Sequence, residues 1–86
     1  MKITDSELFL PTYKLVHRLF EITSKFPKDV RITLSDKIIN NGLNMLRMVN
    51  SDLIQRKFDY DGFRLNIANI VIFLRLAKDL RYLSLN

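Results

Sequence analysis

The side chains in this 86-residue chain that most clearly indicate a binding function are its lysines and arginines. Fourteen of them oppose nine aspartates and glutamates, giving a net charge of +5 and an isoelectric point near 9.8. Such side chains bind nucleic acid because each phosphate they neutralise releases condensed counterions. Eight cations lie on predicted helix surfaces or in one predicted loop: Lys14, Arg18, Lys25, Lys28, Arg31, Arg64, Arg75 and Lys78. They predict a surface that contacts backbone phosphates with weak sequence specificity, because no RNP sequence or GXXG loop is present.

A second interpretation of the same charges is an ordinary solvated surface. Glu21, Asp29 and Asp79 are interspersed among the cations, as on helices whose charge only maintains solubility. In that case the protein is a structural or protein–protein interaction module with no nucleic-acid role. The charges alone favour this simpler interpretation, whereas a family resemblance described below favours nucleic acid or a nucleic-acid enzyme as the partner.

Few groups in the chain are suited to catalysis. There is no cysteine, no phosphate-binding glycine loop and only a single histidine, His17. Asp59 and Asp61 resemble metal ligands, but no further acidic residues accompany them in a loop of suitable length. We interpret them as turn and N-cap residues. We therefore predict a non-enzymatic protein without metal, cofactor or small-molecule substrate.

The composition also indicates a compartment. The absence of cysteine fits a reducing cytosol. No secretory signal is visible, because Asp5 and Glu7 follow Lys2 closely and Pro11 interrupts the first apolar run. The longest uncharged stretch, residues 65–74, is too short to span a bilayer. We expect a cytoplasmic protein that does not contact membranes.

Two short breaks divide the chain into three helical stretches. Residues 26–29 contain Pro27, which removes a backbone donor and disfavours helix in the residue before it. Residues 59–62 combine two aspartates with a glycine and form the second break. The predicted helices run from about Pro11 to Lys25, from Thr33 to the second break, and from about Asp61 to Leu83. The pattern predicts an all-α protein with three helices that occupies residues 1–86 as a single domain.

The first two predicted helices each have one apolar side. On the first helix this side carries Phe9, Tyr13, Leu15, Val16, Leu19, Phe20, Ile22 and Phe26. On the second helix it carries Leu34, Ile38, Ile39, Gly42, Met45, Leu46, Val49 and Leu53. We expect Thr33 to cap the second helix by accepting a hydrogen bond from the Asp36 amide. We expect Gly42 to let another helix approach closely.

The third predicted helix is apolar on two opposite sides. The side expected to face its own chain carries Tyr60, Phe63, Ile67, Ile70, Val71 and Leu74. The other side carries Leu65, Ile72, Phe73, Leu76 and Leu80. A helix with two apolar sides needs two neighbours, so we expect this helix to be central and its second side to be an oligomer interface. The pattern therefore predicts a homo-oligomer.

Several short motifs occur in an order typical of one protein family. They are the aromatic opening Tyr13-Lys14-Leu15, the break Phe26-Pro27-Lys28, the helix start Thr33-Leu34, and the ending from Leu74 to Leu80 followed by Tyr82-Leu83-Ser84. From about Leu10 to Ser84 the chain resembles the small bacterial four-helix-bundle proteins. This family includes the accessory variability determinant of diversity-generating retroelements and proteins encoded in intervening sequences of large-subunit ribosomal RNA genes.

The resemblance implies an up-and-down helical bundle that assembles into a ring-like pentamer with a basic surface. It also implies an accessory role in which the protein binds a reverse transcriptase and RNA or DNA. Family members continue after the region of Ser84 into a fourth helix that this sequence lacks. We therefore expect either a truncated relative or packing supplied by neighbouring subunits.

Overall fold

Helices make up most of the computed structural model, which describes residues 3–55 and 57–82. In chain order they are α1 (Ile3–Thr23), the short α2 (Lys28–Val30), a π-helical segment (Arg31–Ser35), α3 (Asp36–Gln55) and α4 (Tyr60–Asp79). No strand occurs in either of the described ranges. The predicted all-α fold with three main helices is therefore confirmed.

The three long helices run alternately up and down. Phe26, just after α1, lies beside Tyr82, just after α4, with ring centroids 6.3 Å apart. α1 and α4 therefore end at the same end of the bundle. The middle helix is α3, which packs against both α1 and α4. Within this chain α3 lies between the other two long helices, since residues 41–46 of α3 are all buried or half-buried and so have neighbours on more than one side. The second neighbour expected for α4 would lie outside this chain and stays a prediction.

α1 begins earlier than the sequence predicts. Pro11, predicted for the opening turn, lies inside the helix. A proline lacks the backbone donor that would bind the carbonyl four residues earlier, here that of Glu7. Glu7 and Pro11 are both exposed. Water can therefore bind the freed carbonyl, and the helix continues through the proline.

Pro27 directs the chain from α1 into the next helical segments. Its φ of −57° and ψ of 150° are extended, and its carbonyl accepts hydrogen bonds from the amides of Val30 and Arg31 at 3.0 and 3.2 Å. Helical geometry therefore begins at Lys28. The predicted cap at Thr33 is wrong, because Thr33 already lies inside a helical segment and its hydroxyl donates to the Val30 carbonyl at 3.2 Å.

The apolar side of α3 forms the middle of the core, as predicted. Its buried apolar side chains are Ile38, Met45 and Val49, and Leu34 of the preceding π-helical segment continues the same side. Gly42 faces α1 closely: a Cβ atom there would be 3.0 Å from Leu19 Cδ1 and 3.4 Å from Val16 Cγ2. The predicted role of this glycine is confirmed. The side chain of Leu53, also predicted for the core, lies outside the described part of the structure.

The start of α4 is fixed by local hydrogen bonds. Asp59 is the N-cap, and its Oδ1 accepts from the Gly62 amide at 2.9 Å. Asp61, in the first turn, accepts from Arg64 Nη2 at 2.8 Å. A carboxylate in either position also interacts favourably with the positive end of the helix dipole. The interpretation of the two aspartates as turn and N-cap residues is confirmed.

The end of α4 is a Schellman motif built without glycine. Arg81 adopts the left-handed conformation, with φ 65°. Its amide donates to the Lys78 carbonyl at 3.0 Å, and the Tyr82 amide donates to the Ala77 carbonyl at 2.9 Å. Tyr82 then packs against the core. The helix thus stops before its predicted end at Leu83, a residue outside the described range.

Candidate functional site

All eight predicted phosphate-binding side chains belong to exposed residues. Those in or near α1 are Lys14, Arg18 and Lys25; those in the connection are Lys28 and Arg31; those in α4 are Arg64, Arg75 and Lys78. Two of them form ion pairs: Arg18 Nη1 lies 3.3 Å from Glu21 Oε1, and Arg64 Nη2 lies 2.8 Å from Asp61 Oδ1. Exposed pairs of this kind contribute about 0–1 kcal/mol, so a phosphate can compete for either cation.

Arg31 has a structural task that the sequence did not indicate. Its Nε donates to the Phe26 carbonyl at 3.1 Å, and its Nη2 donates to the Ser24 carbonyl at 2.5 Å. Both carbonyls follow the C-terminus of α1, where the helix dipole is negative and a cation is favoured. Arg31 therefore fastens the α1–α2 connection, and its remaining donors stay exposed at the surface.

Contacts at one end of the bundle bring several cations together. Phe26 and Tyr82 are neighbours, and cations adjoin each of them along the chain. The cations at this end are Lys25, Lys28, Arg31, Lys78 and Arg81, and we call this group the basic end. Two carboxylates, those of Asp29 and Asp79, lie in the same segments. No ion pair among the described residues involves Lys25, Lys28 or Lys78. The basic end therefore has an excess of positive charge.

The other predicted phosphate-binding residues lie further along the bundle. Arg64 precedes Lys78 by fourteen residues of α4, about 21 Å at helical rise. Lys14 precedes the end of α1 by nine residues, about 14 Å on the same basis. The eight cations therefore do not form one compact patch. Their arrangement suits a ligand with repeated negative charges better than a single small anion.

The outer side of α4 carries four exposed leucine or isoleucine side chains, which we call the apolar strip. They are Leu65 (61% exposed), Ile72 (56%), Leu76 (47%) and Leu80 (49%). Leaving this much apolar surface in water is unfavourable and is typical of interaction sites. The sequence pattern predicts these four residues for an oligomer interface, and their exposure is compatible with that role.

The line along which α4 meets α3 differs from the predicted one. It runs through the buried residues Asn66, Ile70 and Ala77. Phe73, predicted for the oligomer interface, is half-buried and packs against the core on one side. Tyr60, Ile67 and Val71, predicted to face the chain's own core, are exposed. The period of apolar residues did not determine this line, because apolar residues surround most of α4.

A groove borders one end of the apolar strip. It encloses about 310 Å³ between the start of α3 and the end of α4. Its lining residues are Val30, Thr33, Leu34, Lys37, Phe73, Leu76, Leu80 and Tyr82. Lys37 is the only charged residue among them. The groove extends the apolar surface of the strip towards the basic end.

A second exposed apolar surface of the molecule lies on α1. Phe9, Tyr13 and Phe20, which belong to the predicted apolar side of this helix, are exposed, and the rings of Phe9 and Tyr13 stack with centroids 6.0 Å apart. The predicted apolar side of α1 is therefore buried only in part. The reason is that α1 packs closely against α3 alone, and one neighbour covers only part of a helix.

Two asparagine pairs across α3 and α4 were not anticipated. Asn69 Nδ2 donates to Asn41 Oδ1 at 3.1 Å, and Asn44 Nδ2 donates to Asn66 Oδ1 at 3.3 Å. The sequence did contain a signal, since each helix has two asparagines three residues apart, which places them on one face.

Other kinds of site have little support in residues 3–55 and 57–82. His17 is exposed. No three His, Asp or Glu side chains in these ranges are placed to share a metal ion. No helix in these ranges combines the length and apolar character needed to cross a bilayer.

Comparison with known proteins adds no relative. No protein-family model, curated protein or solved structure matches this chain. The resemblance to the bundle proteins of diversity-generating retroelements and ribosomal RNA intervening sequences therefore stays a prediction from the motifs quoted above.

Proposed function

We propose that this protein is a non-enzymatic, self-associating helical bundle that binds nucleic acid through backbone phosphates. The observation that carries the proposal is the basic end, where exposed Lys25, Lys28 and Lys78 stand without ion pairs among the described residues. Because such cations interact with phosphates and not with base edges, the binding is weakly sequence-specific and strongly salt-dependent.

The partner that the family resemblance supports is a reverse transcriptase with its RNA or DNA. In this proposal the bundle acts as an accessory factor, and the apolar strip joins copies of the chain. An assembly of several copies would present several basic ends, which raises the avidity for a long polyanion without any new kind of interaction.

The test of nucleic-acid binding is fluorescence anisotropy with a short labelled duplex RNA across a salt series. Each duplex phosphate that a cation neutralises contributes roughly 0.9 to the magnitude of the salt slope. The triple variant Lys25→Gln, Lys28→Gln, Lys78→Gln should therefore lower that magnitude by up to about 2 to 3. Lys14→Gln, which lies away from the basic end, is the matched control and should have a smaller effect.

Two results would contradict the proposal. One is the absence of any salt-sensitive association between the wild-type protein and RNA at low ionic strength. The other is a triple variant that keeps the wild-type slope. The first result supports the alternative function, a structural or protein–protein interaction module. The exposed apolar strip favours that alternative independently of the charges.

Self-association is tested by light scattering over a range of protein concentrations. Ile72→Gln with Leu76→Gln should shift the wild-type oligomer towards monomer by removing apolar surface from the strip. The control is Ile32→Gln, because Ile32 is 77% exposed and lies outside the strip. If wild-type protein stays monomeric at high concentration, the strip does not join copies of this chain.

A further inference from the structure

An open surface cavity, lined mainly by residues with polar side chains, lies at some distance from the basic end. Its volume is about 270 Å³, and it lies between the second half of α3 and the turn before α4. Its lining residues are Asn44, Arg47, Met48, Ser51, Lys57 and Asp59. Two of these residues are cations, and neither belongs to the eight positions predicted to contact phosphates. Arg47 and Ser51 are four residues apart on α3, so both lie on the same face of the helix.

The guanidinium of Arg47 is oriented by a chain of amides. Arg47 Nη2 donates to Asn44 Oδ1 at 2.9 Å, and Asn44 Nδ2 donates to Asn66 Oδ1 at 3.3 Å. Asn66 is only 7% exposed and is itself anchored, because its Nδ2 donates to the Gly62 carbonyl at 2.7 Å. The guanidinium of Arg47 is therefore connected through Asn44 to the buried Asn66 and is oriented before any ligand binds. This orientation lowers the entropic cost of binding.

The charges around the cavity favour an anion. Asp59 is the one carboxylate in the lining, and its Oδ1 already accepts the Gly62 amide as the N-cap of α4. The described ion pairs include neither Arg47 nor Lys57. The cavity therefore has two cations and one carboxylate, and that carboxylate is already hydrogen-bonded to the N-terminus of α4. The N-terminus is also the positive end of the helix dipole.

We propose that this cavity binds a phosphate group. Arg47 presents a planar fork that matches two phosphate oxygens, Lys57 adds a point charge, and the Ser51 hydroxyl adds a third donor. The ligand is either a phosphodiester of nucleic acid or a free phosphate monoester. The site uses residues other than those of the basic end, so it can exist whether or not the proposed function holds.

The first experiment is a titration of ¹⁵N-labelled protein with inorganic phosphate, against chloride at matched ionic strength. Phosphate should shift the amides around Arg47, Ser51 and Lys57. Arg47→Gln should weaken the affinity about tenfold, in line with the removal of a charge-assisted hydrogen bond, and Arg47→Lys should lose most of the same affinity because it lacks the fork. Lys37→Gln, at an exposed position of α3 outside the cavity lining, is the matched control and should bind phosphate like the wild-type protein.

Asn44 is a positioning residue in this proposal. Asn44→Ala should lower the phosphate affinity while circular dichroism still reports a folded helical protein. In Asn44→Ala the further change Arg47→Gln should then cost less than it does in the wild-type protein, because the guanidinium is no longer held in place. Equal costs of Arg47→Gln in both backgrounds would remove Asn44 from the site.

The second experiment repeats the RNA salt series with Arg47→Gln. If the magnitude of the RNA salt slope falls by about 1, the phosphate belongs to nucleic acid. If RNA binding is unchanged but inorganic phosphate no longer binds, the site serves a free phosphate monoester. If the wild-type protein does not bind RNA, the proposed function is rejected. The phosphate titration then decides by itself whether this site exists. The site is rejected if phosphate gives no localised shifts, or equal shifts in the wild-type protein and Arg47→Gln.

Discussion

The interface of α3 with α1 and the interface of α3 with α4 differ in chemical character. Towards α1 the interface is apolar and close, with Gly42 facing Leu19. Towards α4 the interface includes hydrogen-bonded asparagine pairs, such as that of Asn44 and Asn66. Apolar packing contributes most of the stability but tolerates sliding, whereas paired amides are satisfied in only one register. We infer that the α1 side stabilises the bundle and that the α4 side fixes its register.

The largest effect is expected on the α1 side. Leu19 is 1% exposed and belongs to the core cluster. Leu19→Ala should lower the free energy of unfolding by about 2–5 kcal/mol, because it removes apolar packing and leaves a cavity. Urea denaturation measures the change. Leu10→Ala, on the same helix at a 52% exposed position, is the control and should cost far less.

Replacing Gly42 with a larger residue tests the interface between α1 and α3 by overpacking it. Gly42→Val should destabilise the protein by about 1–3 kcal/mol, because even the first added carbon would lie 3.0 Å from Leu19 Cδ1. Asn40→Val places the same side chain at an exposed position of α3 and is the control in thermal unfolding. Equal effects of the two variants would show that α1 does not approach α3 closely at Gly42.

A smaller loss of stability is expected on the α4 side. Asn66→Ala removes the acceptor of Asn44 and should cost about 1–3 kcal/mol, as for a partly buried amide left unpaired. Its distinguishing consequence is local: hydrogen exchange should rise at the start of α4 more than in α1. Uniformly faster exchange along the whole chain would contradict a separate role for the amide pairs.

The smallest effect is a gain. Arg81 holds a left-handed conformation at the end of α4, which costs a residue with a side chain about 1 kcal/mol relative to glycine. Arg81→Gly should therefore raise the free energy of unfolding by up to about 1 kcal/mol. Denaturation in urea measures the gain. Lys78→Gly, in the helical last turn, is the control and should destabilise the protein.

The helices followed from periodicity and breaks, because these depend on neighbouring residues. Pro27 and the turn at Asp59 were located correctly for this reason. Which helices pack against each other depends on long-range contacts. The spacing of apolar residues along a single helix does not determine those contacts. The position of α3 between α1 and α4, and the packing of Phe73 against the core, were therefore not predicted.

The candidate site was predictable in part. Exposure of Lys25 and Lys78 follows from helical spacing, but their shared location depends on the distant pairing of Phe26 with Tyr82. Nothing in the sequence pattern distinguished Arg47 from an ordinary surface residue. Its orientation depends on the asparagine pairs, and those require the register of α3 against α4.

The most direct test of the account is a map of which amides shift when a short duplex RNA is added to ¹⁵N-labelled protein at low salt. We predict that the largest shifts occur in residues 25–31 and 78–82, at the basic end. Shifts confined to the apolar strip, or no shifts at all, would contradict the claim that this bundle binds nucleic acid through its cations.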